Sequence, residues 1–191
     1  MVNYPNGRAN QKSIVHKTPA ASRGMHLEKE LDHTNEYYHS LGKAIIHKKP
    51  TPIQVVKVDY MKRSAAKISE AYYKTPSTTD YNGVYKGKAI DFEAKETQSK
   101  SSFPLSSIHL HQIRHLEAVL KQDAIAFVII RFCYYDETYY VEAAKLIDIY
   151  QGKRRSIPYS WFQENAFLIP YSLTPPIDYL KVIDSQLQKE K

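Results

Sequence analysis

The 191-residue chain contains a single cysteine, Cys133. An internal disulfide framework is therefore excluded, and the low cysteine usage fits a reducing compartment. No apolar run reaches the roughly 18 uncharged residues that a membrane-spanning helix requires. The longest, AIAFVIIRFCYY at 124–135, is interrupted by Arg131 and predicts a buried strand, with Cys133 serving only to pack. The opening MVNYPNGRANQKS lacks the apolar core of a secretion signal. There is no Walker-type GKT, so nucleotide hydrolysis is not expected. These absences predict a soluble, cytoplasmic protein with no membrane partner.

Acidic residues are missing altogether from residues 1–24, which carry Arg8, Lys12, Lys17 and Arg23. Across the chain, 27 basic side chains outweigh 20 acidic ones, for a formal charge of +7. HKKPTP, with Lys48 and Lys49, and GKRRS add two further basic clusters. This balance favours a polyanionic partner, because each neutralised phosphate releases condensed counterions. Scattered solubilising lysines would give the same total.

Residues 1–23 are polar, basic and poor in aliphatics, and predict a flexible tail ahead of one folded unit, 24–191. GMHLEKELDHTNEYYHSLG (24–42) predicts a helix, with Leu27, Leu31 and Tyr38 on one face and Gly42 at its stop. KAIIHKK and PTPIQVVKVDY predict strands. Segment 61–79, MKRSAAKISEAYYKTPSTT, has few aliphatics to bury; it predicts a protrusion, with a short helix possible in its middle. Residues 79–95 predict a hairpin turning near YKGK. FPLSSIHLHQIRHLEAVLKQ (103–122) predicts a helix burying Leu105, Ile108, Leu116, Val119 and Leu120. AIAFVIIRF and TYYVEA predict neighbouring strands; AAKLIDIY, PYSWFQEN and PIDYLKVIDSQLQKEK predict helices, with Trp161 an anchor in the second. The order predicts a mixed α/β domain.

Within the hairpin, Asp91, Glu93 and Lys95 alternate and so share one face of a strand, while Ile90, Phe92 and Ala94 share the other. Asp80, on the partner strand, would approach Glu93. Two carboxylates in a partly dehydrated cleft repel each other, a repulsion that a divalent cation removes. A lysine two residues after the second acid can activate water or balance charge on a transferring phosphoryl group. Spacing alone leaves a solvated hairpin face as the better explanation.

STTDYNGVYKGKAIDFEAKET also resembles the PD-(D/E)xK nuclease motif, and specifically the RecU family of bacterial Holliday junction resolvases. YPNG (4–7), RGMHLE (23–28), TNEYY (34–38), IHKKPTPIQ (46–54), KRSAAKISEAYYK (62–74), SSFPL (101–105) and HQIRH (111–115) resemble that family in order along nearly the whole chain. The resemblance implies a restriction-endonuclease-like mixed sheet flanked by helices. It implies Asp80 and Glu93 as Mg²⁺ ligands, with Mn²⁺ able to substitute, and Lys95 as the catalytic lysine. Thr79 stands where the superfamily motif has proline. Glu28, Thr79, Asp91 and Gln112 are candidates for further metal contact or for support around the ligands.

The resemblance further implies that 61–79 is a stalk entering a four-way junction, in a homodimer linked to the RecA recombinase and the RuvAB branch-migration proteins. Lys62, Arg63, Lys67 and Lys74 would then contact phosphates and Tyr72 and Tyr73 would pack on bases or backbone, with Arg8, Arg23, Lys48 and Lys49 adding to the DNA surface. Arg63 is also a candidate for protein contact. A non-catalytic junction-binding modulator of the recombinase is the alternative.

Gln112 falls on the inner face of its helix, where a polar amide needs a partner: an active-site water, Lys95 or backbone. His111 and His115 have the spacing of a zinc site, but no further ligand completes it, and DNA-facing or solvated imidazoles are the expectation.

Overall fold

A computed structural model describes residues 25–60, 64, 66–74, 78–152 and 154–189. The basic tail, with Arg8 and Arg23, and Lys62 and Arg63 lie outside the described residues.

The chain runs α1 (Met25–Ser40), β1 (Ile45–Lys48), β2 (Ile53–Asp59), β3 (Lys67–Tyr73), β4 (Tyr81–Tyr85), β5 (Lys88–Thr97), β6 (Ser102–Pro104), α2 (Leu110–Leu120), β7 (Ile125–Phe132), β8 (Glu137–Glu142), α3 (Ala143–Gln151), β9 (Ser156–Pro158), α4 (Tyr159–Asn165), β10 (Phe167–Ile169) and α5 (Tyr179–Lys189). Six strands form one mixed sheet in the order β1-β4-β5-β7-β8-β10, with β5 and β7 parallel and the other pairs antiparallel. Its two faces carry separate apolar layers. Phe92, Ile90, Phe127 and Ile129 pack on Leu27, Leu31 and Tyr38 of α1 and Leu180 and Ile183 of α5. Val128, Ile130 and Phe132 pack on Ile113 and Leu116 of α2, Leu146 of α3 and Phe162 of α4. Among the described residues no helix is long and apolar enough to cross a membrane.

The β4–β5 hairpin follows the sequence expectation. Lys86 and Gly87 form its two-residue turn with φ of 49° and 78°, the left-handed pair that matches strand twist. Tyr81 stacks on Phe92 at 4.7 Å, fixing the register, so that Asp91, Glu93 and Lys95 point toward the α2 side. Gly83 lets β1 close onto β4, since a Cβ there would stand 2.0 Å from the Ile45 carbonyl oxygen.

Two expectations need correction. The middle of 61–79 is not helical: Lys67–Tyr73 is a strand pairing antiparallel with β2 in a two-stranded ribbon separate from the main sheet. Every residue of β3 is exposed, so no burial periodicity marks it in the sequence. The helix expected over 103–122 starts at Leu110, because Ser102–Pro104 pairs with Ser156–Pro158 and a single 3₁₀ turn, Leu105–Ser107, intervenes. Leu105, Ile108 and Leu116 are buried as expected, together with Ile113, whereas Val119 and Leu120 are only partly buried.

Candidate active site

β5 delivers Asp91, Glu93 and Lys95 to the α2 face of the sheet, and their burial differs sharply. Glu93 is fully buried, the Asp91 side chain is nearly so, and that of Lys95 is about a quarter exposed. Asp80 stands just ahead of β4 and reaches across the hairpin. Its backbone N–H donates to Glu93 Oε2 at 3.2 Å, and its Oδ2 accepts from the Ala94 N–H at 3.2 Å. The two acids are therefore joined through each other's strand.

Glu93 Oε1 receives two donors, the Lys95 ammonium and the Gln112 amide, the latter at 2.5 Å. Gln112 also uses its Oε1 to accept from the His109 N–H at 2.9 Å, closing the first turn of α2. The backbone partner expected for Gln112 is thus present; its second partner, the Glu93 carboxylate, was not expected, and 19 residues of separation hide that pair from any local pattern. Burial pushes the Glu93 carboxyl up to about 8; the Lys95 charge opposes this and the Asp80 charge reinforces it. An acid that costs this much to ionise beside another carboxylate suits a hard divalent cation.

Asp91 joins a second cluster next to the first. Lys49 Nζ lies 2.9 Å from Asp91 Oδ2 and 3.0 Å from Thr79 Oγ1, and the Thr79 hydroxyl donates to Asp91 Oδ1. His115 Nε2 approaches Asp91 Oδ1 at 3.1 Å without hydrogen-bond alignment, so it adds charge only when protonated. His111 instead stacks on His109 at 5.5 Å, and burial, then the His109 and Lys95 charges, lower its pKa. Glu28 pairs with Lys48 at 2.6 Å rather than with Asp80 or Glu93. Burial pulls the Lys48 ammonium down, but Glu28, Asp32 and Asp80 together outweigh it and raise its pKa. Among the described residues no three of His, Cys, Asp and Glu converge as a metal-holding group. A cation here would draw on the Asp80 and Glu93 carboxylates, water and substrate oxygens, the ligand habit of Mg²⁺.

The residues assigned to DNA contact fall in two places. Lys48 and Lys49 sit beside Asp80 and are both engaged by carboxylates. Lys67, Tyr72, Tyr73 and Lys74 lie on the ribbon or at its end, all exposed, with Tyr73 at 85%. A cavity of about 380 Å³ between α1 and β1 is lined by Asp32, Glu36, His39 and Lys48 and leaves Asp80 and Glu93 outside it.

Comparison with known proteins converges on one group. The family model of Recombination protein U, RecU, matches residues 22–185. A protein of Bacillus cereus (strain AH820) named Holliday junction resolvase RecU is 53% identical over 194 aligned residues, covering 96% of this chain and 97% of the relative. Proteins of the same name from Bacillus anthracis and Bacillus thuringiensis subsp. konkukian match at the same 53% identity and coverage. The hairpin carrying Asp80, Glu93 and Lys95 lies inside the matched span, and the chain belongs to the RecU family.

Proposed function

We propose that this chain is a Mg²⁺-dependent endonuclease that recognises four-way DNA junctions by shape and nicks two opposed strands symmetrically. The single observation that carries the catalytic part is Glu93. A fully buried carboxylate, held by Lys95 and Gln112 and joined to the Asp80 backbone, is costly as structure and apt as a ligand. The substrate comes from the names of the relatives, Holliday junction resolvases that match almost end to end.

In this reading Asp80 and Glu93 would hold the cation, which would supply a lowered pKa for an attacking water and charge balance on the scissile phosphate. Lys95, whose ammonium is tethered to Glu93, would orient that water and offset charge in the transition state. Gln112 fixes the rotamer of Glu93 from α2. The ribbon of β2 and β3 acts as a stalk, with Lys67 and Lys74 supplying phosphate contacts and Tyr72 and Tyr73 stacking surfaces. By charge, Arg8, Arg23, Lys62 and Arg63, outside the described residues, are further candidates for phosphate contact. Paired cuts need two sites, so the active form is a homodimer whose two-fold axis matches that of the junction. We place its work in the nucleoid, beside the RecA recombinase and the RuvAB proteins, as the resemblance to the family implies.

A nicking assay on a synthetic four-way junction tests this, with Mg²⁺ or EDTA, a linear duplex control and Asp80→Ala. Metal-dependent nicks at symmetric positions on the junction, absent from the duplex and from the variant, are expected. Tight junction binding without cutting under any divalent metal would make the chain a binding module.

A further inference from the structure

The ribbon leaves the main sheet after Lys49 and the chain re-enters it at Thr79–Asp80, and these two crossing points are tied together. The Lys49 N–H donates to the Asp80 carbonyl at 2.7 Å. The Lys49 ammonium donates to the Thr79 hydroxyl at 3.0 Å and pairs with Asp91 at 2.9 Å. The Thr79 hydroxyl donates in turn to Asp91 on β5. The peptide that carries Asp80 is thus bracketed by its own carbonyl, by the preceding side chain and by a carboxylate two residues before Glu93. Thr79 is buried, and the side chains of Lys49 and Asp91 are only 19% and 10% exposed.

We propose that Lys49, acting through Asp91 and Thr79, is a positioning residue that fixes the Asp80 carboxylate against Glu93, and is not a phosphate contact. The inference rests on the metal-dependent nuclease reading. A lysine meant for phosphate is best left with its ammonium in solvent, yet here the ammonium is taken by a carboxylate and a hydroxyl and turned inward. Beyond the nearby charge of Lys48, the Asp80 carboxylate oxygens hold one hydrogen bond among the described residues, from the Ala94 N–H at 3.2 Å. Its backbone must therefore be held from outside for both acids to meet one cation. Partners of this kind around metal ligands are typically worth about 10–100-fold in metal affinity or activity. The location also makes the metal site sensitive to the base of the ribbon, because Lys49 is the last residue but three before β2.

The test compares full-length wild type, Lys49→Met and Lys49→Arg in three measurements: junction affinity against salt in EDTA, Mn²⁺ affinity by calorimetry without DNA, and single-turnover nicking. Lys49→Met should weaken Mn²⁺ binding and nicking by about 10–100-fold and leave junction affinity and its salt slope unchanged. Lys49→Arg, which keeps the cation and two donors, should restore most of both. A shallower salt slope with intact Mn²⁺ affinity would overturn the proposal and make Lys49 a phosphate contact. A lowered melting temperature with unchanged Mn²⁺ affinity and nicking would overturn it too, leaving a purely structural ion pair. If wild type binds Mn²⁺ with the Lys49 dependence described but cuts no junction, the positioning stands and the resolvase reading falls.

Discussion

Gln112 on α2 and Glu93 on β5 meet at 2.5 Å, and the same Gln112 side chain closes the first turn of its own helix through the His109 N–H. One amide thus sets both where α2 begins and how the buried carboxylate is turned. The two roles separate by substitution. Gln112→Glu keeps the acceptor that His109 requires and places a second carboxylate against Glu93. It should lower nicking by about 10–100-fold while the metal-free protein melts within a few degrees of wild type. Single-turnover cleavage beside thermal denaturation checks this; loss of fold with loss of activity would reduce Gln112 to a helix cap.

Glu93 makes a signed prediction about pH. Burial lifts its pKa from 4.5 to about 8, so the folded chain holds this proton more tightly than the unfolded chain. In the absence of metal, the cost of ionising Glu93 grows as pH rises through that window, and stability falls. Glu93→Gln removes the cost. The variant should match wild type near about pH 4.5 and exceed it by something on the order of 2–4 kcal/mol near about pH 8. Added Mg²⁺ should narrow the gap by stabilising wild type alone. Denaturant melts at the two pH values, with and without Mg²⁺, measure it; a gap independent of pH would mean that Glu93 is already charged in the apo protein.

Gly83 is fixed by backbone proximity rather than by a turn. A methyl group there would meet the Ile45 carbonyl oxygen at 2.0 Å and Ile46 Cα at 2.6 Å, atoms that can move only if β1 shifts from β4. Gly83→Ala should cost about 1–3 kcal/mol and loosen the strand that leads into Lys48 and Lys49. Hydrogen exchange of the β1 amides reads the displacement directly; protection equal to wild type would show that the edge strand absorbs the methyl group without moving.

The ribbon should contribute to junction binding and little to stability, because every residue of β3 is exposed and Tyr72 and Tyr73 are 61% and 85% accessible. Replacing both tyrosines by alanine should lower junction affinity by about 1–3 kcal/mol for each base stacked and leave the melting temperature unchanged. Affinity measured on junction and duplex side by side decides it; equal weakening on both would place the ribbon on duplex DNA in general.

What was legible in the sequence follows from where the determining contacts lie. The β4–β5 hairpin announces itself through alternation and a Lys86–Gly87 turn, both local, and α1 through an apolar face with a glycine stop. The ribbon strand β3 pairs with β2 yet buries nothing, so neither periodicity nor composition exposes it. β6 and β9 are three residues each and pair across more than fifty positions, a long-range contact with no local trace, and this moved the start of α2. At the site, the acids and Lys95 could be placed on one strand face from spacing. That Gln112 serves Glu93, and that Lys49 serves Asp91 and Thr79 instead of solvent, depends on packing α2 onto that strand and on pairing β1 with β4 beside it.

The measurement that bears most directly on the central claim uses a supercoiled plasmid carrying an extruded cruciform, which is a four-way junction within a closed circle. Two cuts made within one binding event release linear product directly, whereas a single cut collapses the cruciform and leaves a nicked circle. With Mg²⁺, wild type should give mainly linear plasmid with symmetric ends, and Glu93→Ala should give none while still shifting the junction on a gel. Nicked circles as the sole product would contradict paired resolution, and cutting of Glu93→Ala at the wild-type rate would remove the carboxylate from the chemistry.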